Sequence, residues 1–475
     1  MKKTVFSFVF STIIVFVALC DVNVALAQFG QGSLGGRLSN NEMENVEYEY
    51  PDAWKFSESR RPRVQAEERV VALKRFSLEL YKTLIDDENN KNENVVCSPW
   101  SVAMVLTMLH DGANKDTAKE IRKALYFQGN SKYFEKYLHM VAYNARANEE
   151  DEMLGVPLIL ESANSFWAQS GYDFHEEYEE LLENRFLAKL FPIDFSVNPS
   201  QAAKEINDWC SENTREQIKK IIDASDINPQ QRMMLLNAVY FKARWESVFY
   251  RSETKAEWFH HADGTVSRTK MMNIKGEGEY YKYYEGDDFK ALKMDYCGNA
   301  HMLILLPDEV DGLAKLESKL TLKILRQIDN QSKGDRFKVK LPRFAFDTDS
   351  ELISAMQKLG VNSAFDTAQA DFSKMTDEKG FFIDLFRQKA IIQVDEEGTV
   401  AAAVSVGIGI GGRPPKPKTF YADRPFMFLI RENTDNGILF MGRVHHPEKT
   451  EDEPNADESQ SEQESAFDFS DDPGY

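Results

Sequence analysis

Cysteine is scarce, with four in 475 residues. Cys20 falls in the N-terminal leader described below, which leaves Cys97, Cys210 and Cys297. Three thiols so far apart rule out a disulfide scaffold, and at least one of them is free or pairs between chains. Their spacing does not suggest a metal site. Positive charge is also short, with 57 Lys and Arg against 77 Asp and Glu, a net charge of −20. Nucleic acid is therefore not expected as a partner. Only one long apolar run occurs, Val5 to Leu19, after Lys2 and Lys3 and before Ala25-Leu26-Ala27. It is shorter than the ~20 residues a bilayer-spanning helix needs, and it has the form of a secretory signal peptide cut after Ala27. The mature chain is thus expected to be secreted and extracellular, with no membrane contact after signal cleavage. Neither GxSxG nor HExxH occurs, so no motif suggests a hydrolase or any other enzyme.

Weak matches to cofactor chemistry fail on context. Gly407-x-Gly409-x-x-Gly412 has the dinucleotide spacing, but Arg413-Pro414-Pro415-Lys416-Pro417 cannot open the helix that must follow. His260-His261 and His445-His446 are adjacent pairs whose side chains diverge along a strand, and neither pair is read as a metal site. No cofactor is expected. Asn330-Gln331-Ser332 is the one glycosylation sequon in the chain, and export makes it usable.

The remainder supplies a large core, with 42% hydrophobic residues. Residues 1–27 form the leader and 28–69 a polar, flexible N-terminal extension that carries Glu47-Tyr48-Glu49-Tyr50-Pro51-Asp52. The apolar periodic region runs over 70–447. Residues 448–475 hold eleven acidic residues and one lysine, an acidic disordered tail. That tail either only solubilises the chain or, with the acidic stretch Glu47 to Asp52, engages a basic site on a partner. Helical spacing is read over Val70 to Leu84, from Ser98-Pro99-Trp100, over Tyr178 to Leu190, Ala202 to Trp209 and Ser350 to Leu359. Thr117-Ala118-Lys119-Glu120 has capping-box form. Strands are read over Met234 to Phe241, Ala300 to Leu306, Phe337 to Leu341, Phe381 to Val394 and Met427 to Ile430. Helices come early and strands late, which predicts an α+β fold with a large mixed sheet.

The most informative stretch is Glu396 to Pro417. Alternate residues Thr399, Ala401, Ala403, Ser405, Gly407, Gly409 and Gly411 are small, while Val400, Ala402, Val404, Val406, Ile408 and Ile410 are apolar. A strict period of two is strand patterning, yet the segment ends in Gly411-Gly412 and a proline-rich run that reads as an exposed loop. Loop composition on strand periodicity predicts two states, a loop first and an inserted strand later. The plainer alternative is a flexible Gly/Ala loop with one state.

Several separated motifs resemble the serpin superfamily over about 70–447. They are Asn94-Val95-Val96-Cys97-Ser98-Pro99 with Ser101 and Gly112-Ala113, Leu236-Asn237-Ala238-Val239-Tyr240-Phe241-Lys242 with Trp245 and Phe249, and Leu341-Pro342-Arg343-Phe344. Leu359-Gly360, Ala370-Asp371-Phe372-Ser373, Glu396-Glu397-Gly398-Thr399, Ala422-Asp423-Arg424-Pro425-Phe426 and Gly442-Arg443-Val444 follow in order. The resemblance implies three β-sheets, eight or nine helices and an exposed reactive loop. It implies suicide inhibition of a serine protease, in which the cleaved loop enters the main sheet and the covalently attached enzyme is distorted. On that reading the chain is a monomer whose partner is the target protease. The hinge is Glu397, Gly398, Thr399, Val400, Ala401, Ala402 and Ala403, and the sheet opens near Asn94, Ser98, Ser101, Asn237 and Gln388. Family spacing puts the scissile bond at Gly412-Arg413. Arg413-Pro414 is the runner-up, disfavoured because proline after the cut lacks an N–H and restricts its neighbour. Val400 and Gln388 depart from the family's common Glu and His. The Gln388 amide can still pair with Asn237 or Ser98. The extended ends and hinge resemble arthropod haemolymph serpins. The competing class is a non-inhibitory serpin acting as carrier, storage protein or chaperone.

Overall fold

The computed structural model describes residues 62–146, 158–186, 188–274, 276, 278–396 and 416–447. In chain order, α1 (Pro62–Ile85) leads to β1 (Val95–Cys97), α2 (Pro99–Gly112), α3 (Lys115–Ala124) and α4 (Ser131–Arg146). Then come β2 (Ile159–Gln169), α5 (Glu176–Leu181), β3 (Lys189–Ile193), α6 (Pro199–Asn213) and β4 (Met233–Lys242). A run of strands follows: β5 (Lys255–His260), β6 (Val266–Asn273), β7 (Glu279–Glu285), β8 (Phe289–Asp295) and β9 (Ala300–Pro307). After α7 (Leu313–Lys319) and α8 (Leu322–Gln331) come β10 (Lys333–Pro342), β11 (Phe344–Glu351), α9 (Ile353–Lys358) and β12 (Leu385–Val394). The chain closes with β13 (Lys418–Tyr421), β14 (Phe426–Glu432) and β15 (Ile438–Val444).

One sheet has five strands in the order β11-β12-β4-β2-β3. The other ten strands form a second hydrogen-bonded network. Within it, β1-β15-β14-β9-β8-β7 and β13-β10-β6-β5 are two sheets joined through β10, which pairs β7 along Lys333–Phe337 and β6 along Lys340–Pro342. The three expected sheets are therefore present, two of them fused along one long strand. Nine α-helices occur among the described residues.

Local chemistry explains the key elements. α2 starts at Ser98, whose hydroxyl accepts from the Ser101 N–H, with Pro99 in the first turn where no amide donor is missed. Every α2 residue except Asp111 is buried, as suits a helix apolar on all sides that runs through a core. The main core fills the space between the five-stranded sheet, α2 and the β14-β15 face. A smaller core lies on the outer side of the sheet, where Ile206 and Cys210 of α6 cover Met234, Leu236 and Ala238 of β4. Gly442 is required by close approach, because a Cβ there would lie 2.5 Å from the Val95 carbonyl oxygen.

Five readings of the sequence need correction. The helix expected over Tyr178 to Leu190 stops at Leu181, passes through a π-turn to Phe186 and gives way to β3, which pairs parallel with β2. The cap of α3 is Asn114, not Thr117. Thr117 and Glu120 instead accept from the amides of Asp371, Asn362 and Ser363, tying the loop that follows α9. Strand β12 begins at Leu385 rather than Phe381, and Ser350 and Glu351 belong to β11 rather than to a helix. At the N-terminal end, α1 begins at Pro62, inside the span read as a flexible extension.

Candidate functional site

The five-stranded sheet contains one central parallel seam. β12 and β4 run side by side from Leu385↔Met234 to Ile392↔Phe241. On either side, β11 pairs antiparallel with β12 and β2 pairs antiparallel with β4. A chain that left β12 and turned back between these two strands would be antiparallel to both. One parallel ladder would become two antiparallel ones, each slightly more stable per residue.

A buried polar cluster lies at this seam. Gln388 of β12 stands opposite Asn237 of β4 in the register. Its amide NH2 donates to Asn237 Oδ1 at 2.5 Å and to the Ser98 carbonyl at 3.1 Å, and its Oε1 accepts from the Ser98 N–H at 2.9 Å. Asn237 Nδ2 donates to Ser101 Oγ at 2.5 Å and to Asn164 Oδ1. Ser101 Oγ shares a 2.6 Å hydrogen bond with Ser162 Oγ. The Ser98 hydroxyl donates to the Leu439 carbonyl at 2.8 Å. The Gln388–Asn237 contact is the side-chain strap across the seam, while the other bonds anchor β12 and β4 to α2 and β2. Four of the five residues expected at the opening point therefore meet. Asn94 does not. Its amide accepts from the His445 and His446 N–H groups and donates to the His446 carbonyl, at the far end of β15. Asn164 and Ser162 complete the cluster unannounced by the sequence, since a polar residue in a strand carries no local sign of a partner.

Just before the loop the chain is held at Glu396, which is only 3% exposed. Its carboxylate pairs with Arg343 Nε at 2.5 Å and accepts from the Thr254 hydroxyl. Trp245 donates to the Asp395 carbonyl at 3.1 Å and stacks on Tyr296 with centroids 4.4 Å apart. The hinge residues Glu397 to Ala403 and the bonds Gly412-Arg413 and Arg413-Pro414 lie outside the described residues. Beyond them, β13 pairs parallel with β10, and Tyr421 Oη and Lys340 Nζ each contact Glu257 at 2.7 Å. The strands that flank residues 397–415 thus lie in different sheets.

The three cysteines are free. Burial pushes the Cys97 thiol far up and the Cys210 thiol to about 12, so both are inert as nucleophiles. Asn330 is exposed near the end of α8. No described helix is long and apolar enough to cross a membrane.

A mixed sheet whose central pair of strands is parallel, followed in the chain by a segment of strand periodicity, is an arrangement that a further antiparallel strand would fit. The family profile described as Serpin (serine protease inhibitor) matches residues 71–447. An uncharacterized serpin-like protein of Thermococcus kodakarensis is 35% identical over 382 residues, covering 80% of this chain and 85% of its own. Leukocyte elastase inhibitor of Bos taurus is 33% identical over 388 residues, covering 80% of this chain and 100% of its own. Among solved structures, Serpin48 of the insect Tenebrio molitor, described as highly specific, superposes with a TM-score of 0.69 at 30% identity, covering 80% of this chain and 99% of that one. The chain belongs to the serpin family.

Proposed function

We propose that the protein is a secreted suicide inhibitor of serine proteases. The observation that carries this reading is the parallel β12–β4 seam, whose upstream strand leads directly into Gly398 and the alternating small residues. Thr399 to Gly412 is fourteen residues, roughly 48 Å as a strand at ~3.4 Å per residue. β4 has ten residues, or about 34 Å, so the segment is long enough to fill the seam. Thr399, Ala401, Ala403, Ser405 and Gly407 would face the core and need no large cavity, whereas a charged residue there would be buried unpaired. The protease attacks the loop as substrate and forms an acyl-enzyme. Insertion of the cut strand then carries the enzyme away before water releases it. The bait is the Gly412-Arg413 bond, which suits an enzyme accepting small residues before the cut.

Secretion rests on the N-terminal leader pattern, and Asn330 is the proposed glycan site of the exported chain. The extended ends and the hinge support a role in an extracellular immune or clotting cascade of arthropod type. The acidic tail 448–475 and the acidic stretch Glu47 to Asp52 are proposed to attract a basic exosite on the target, a long-range effect that salt screens.

The test is to incubate the protein with a panel of serine proteases and resolve the products on denaturing gels. An SDS-stable adduct is expected from wild type, and cleavage without adduct from Thr399→Arg, because a buried guanidinium opposes insertion at its first step. Rate constants at low and high salt, with and without 448–475, test the exosite. Stable adducts from the Thr399→Arg protein would sink the insertion reading.

A second reading, a non-inhibitory carrier, has one observation in its favour. A cavity of about 950 Å³ lies among α1, α3 and α8, with Val71, Leu322 and Leu325 on its walls and Lys74, Arg75 and Arg122 at its polar side. That volume suits a small ligand. Cleavage of wild type without any adduct across the panel would favour this reading.

A further inference from the structure

The fold brings together one histidine from each of the two adjacent pairs that the sequence treats as unrelated. His261 sits in the turn between β5 and β6, and His446 follows β15. Their Nδ1 atoms are 3.1 Å apart, and His261 Nδ1 is also 3.2 Å from the His445 carbonyl oxygen. His261 Nδ1 thus has two other electron-pair donors within 3.2 Å of it. Among the described residues no three His, Cys, Asp or Glu side chains converge to hold a metal. This site would use two imidazoles and a backbone carbonyl.

We propose that His261 Nδ1, His446 Nδ1 and the His445 carbonyl form a binding site for a divalent transition-metal cation. Two donors each 2.0–2.2 Å from a tetrahedral ion stand roughly 3.3–3.6 Å apart. The observed separations of 3.1 and 3.2 Å need to open by only a few tenths of an ångström. Imidazole nitrogen suits zinc, nickel and copper. The other ring nitrogen of His261 is 2.8 Å from Ser267 Oγ, which fixes the ring and leaves Nδ1 available when Nε2 carries the proton.

The backbone at the second ligand is equally held. Asn94 Oδ1 accepts from the His445 N–H at 2.7 Å and the His446 N–H at 2.9 Å, and Asn94 Nδ2 donates to the His446 carbonyl at 2.6 Å. The site is accessible, because the His446 side chain is exposed while His261 is buried beneath it. The coordination position left over opens to solvent beside His446. A bound ion would clasp the β5–β6 turn to the end of β15, where the acidic tail begins.

The experiment is a calorimetric titration of untagged full-length protein with Zn²⁺ and with Ni²⁺ at neutral pH. One saturable equivalent is expected. His446→Gln and His261→Gln should each weaken it by about tenfold or more. The exposed His446→Gln is the decisive variant, and its melting curve without metal shows that it is folded. Failure to saturate below about 1 mM free metal, or binding unchanged in His446→Gln, overturns the proposal and leaves the pair as a hydrogen bond only. Either result is independent of whether the loop inhibits a protease.

Discussion

Gln388 is the residue on which the closed seam depends most. Its amide satisfies the Ser98 N–H, the Ser98 carbonyl and Asn237 Oδ1, and all three residues are buried. Gln388→Leu leaves a buried donor and a buried acceptor unpaired, at about 1–3 kcal/mol each. The unfolding free energy from urea melts should therefore fall by about 2–6 kcal/mol, whereas Gln388→His, which can still donate and accept, should retain most of the stability. An unchanged midpoint in the leucine variant would contradict the role given to this cluster. A second residue contributes to the acid response, together with His139 and His445, whose imidazoles burial also holds below the usual range. His301 is 2% exposed and donates from Nδ1 to Asn433 at 2.7 Å. Burial, with Arg431 and Lys293 nearby, holds its imidazole neutral, well below the usual range. The unfolded chain takes up a proton here below about pH 6.5 and the folded chain does not. Stability is thus full above that pH and falls as pH drops through it, by about 1.4 kcal/mol per unit. Urea midpoints at pH 7.5 and 5.5 should differ less in His301→Gln than in wild type, and equal differences would refute the assignment.

At the scale of elements, the seam can be tested without touching the loop. Lys389 and Ala238 are register partners on β12 and β4, and adjacent strands ~4.8 Å apart lie within disulfide reach. A Lys389→Cys/Ala238→Cys pair, oxidised, should turn the protein into a substrate, and reduction should restore adduct formation. Inhibition unaffected by oxidation would mean that the two strands need not part. The strands of this sheet were readable where side chains are uniformly apolar, as in β4, or alternate, as in β12. Elements decided by distant contacts were not. The Leu182 to Ala188 stretch keeps helical apolar spacing, yet β3 is set by its parallel pairing with β2. Thr117 and Glu120 match a helix cap locally but serve a loop some 240 residues away. Asn164 joins the opening cluster through a partner 73 residues distant, and no spacing rule marks that.

For the whole molecule, the proposed inhibition needs a native fold that is not the most stable arrangement of its own chain. The β12–β4 seam is satisfied as it stands, but the segment following Gly398 would make two ladders there in place of one. Such a protein is held by a kinetic barrier, and cleavage of the loop removes the tether that maintains it. At ~1 kcal/mol per net hydrogen bond, filling the seam contributes on the order of 10 kcal/mol, which should raise the melting transition by on the order of 10 °C. The most direct measurement is a thermal melt of the protein before and after limited proteolysis, with the cut confirmed by sequencing to lie between Ser405 and Pro415. The cleaved form is predicted to melt well above the intact one. An unchanged or lowered transition would contradict strand insertion and leave a loop that stays outside the sheet.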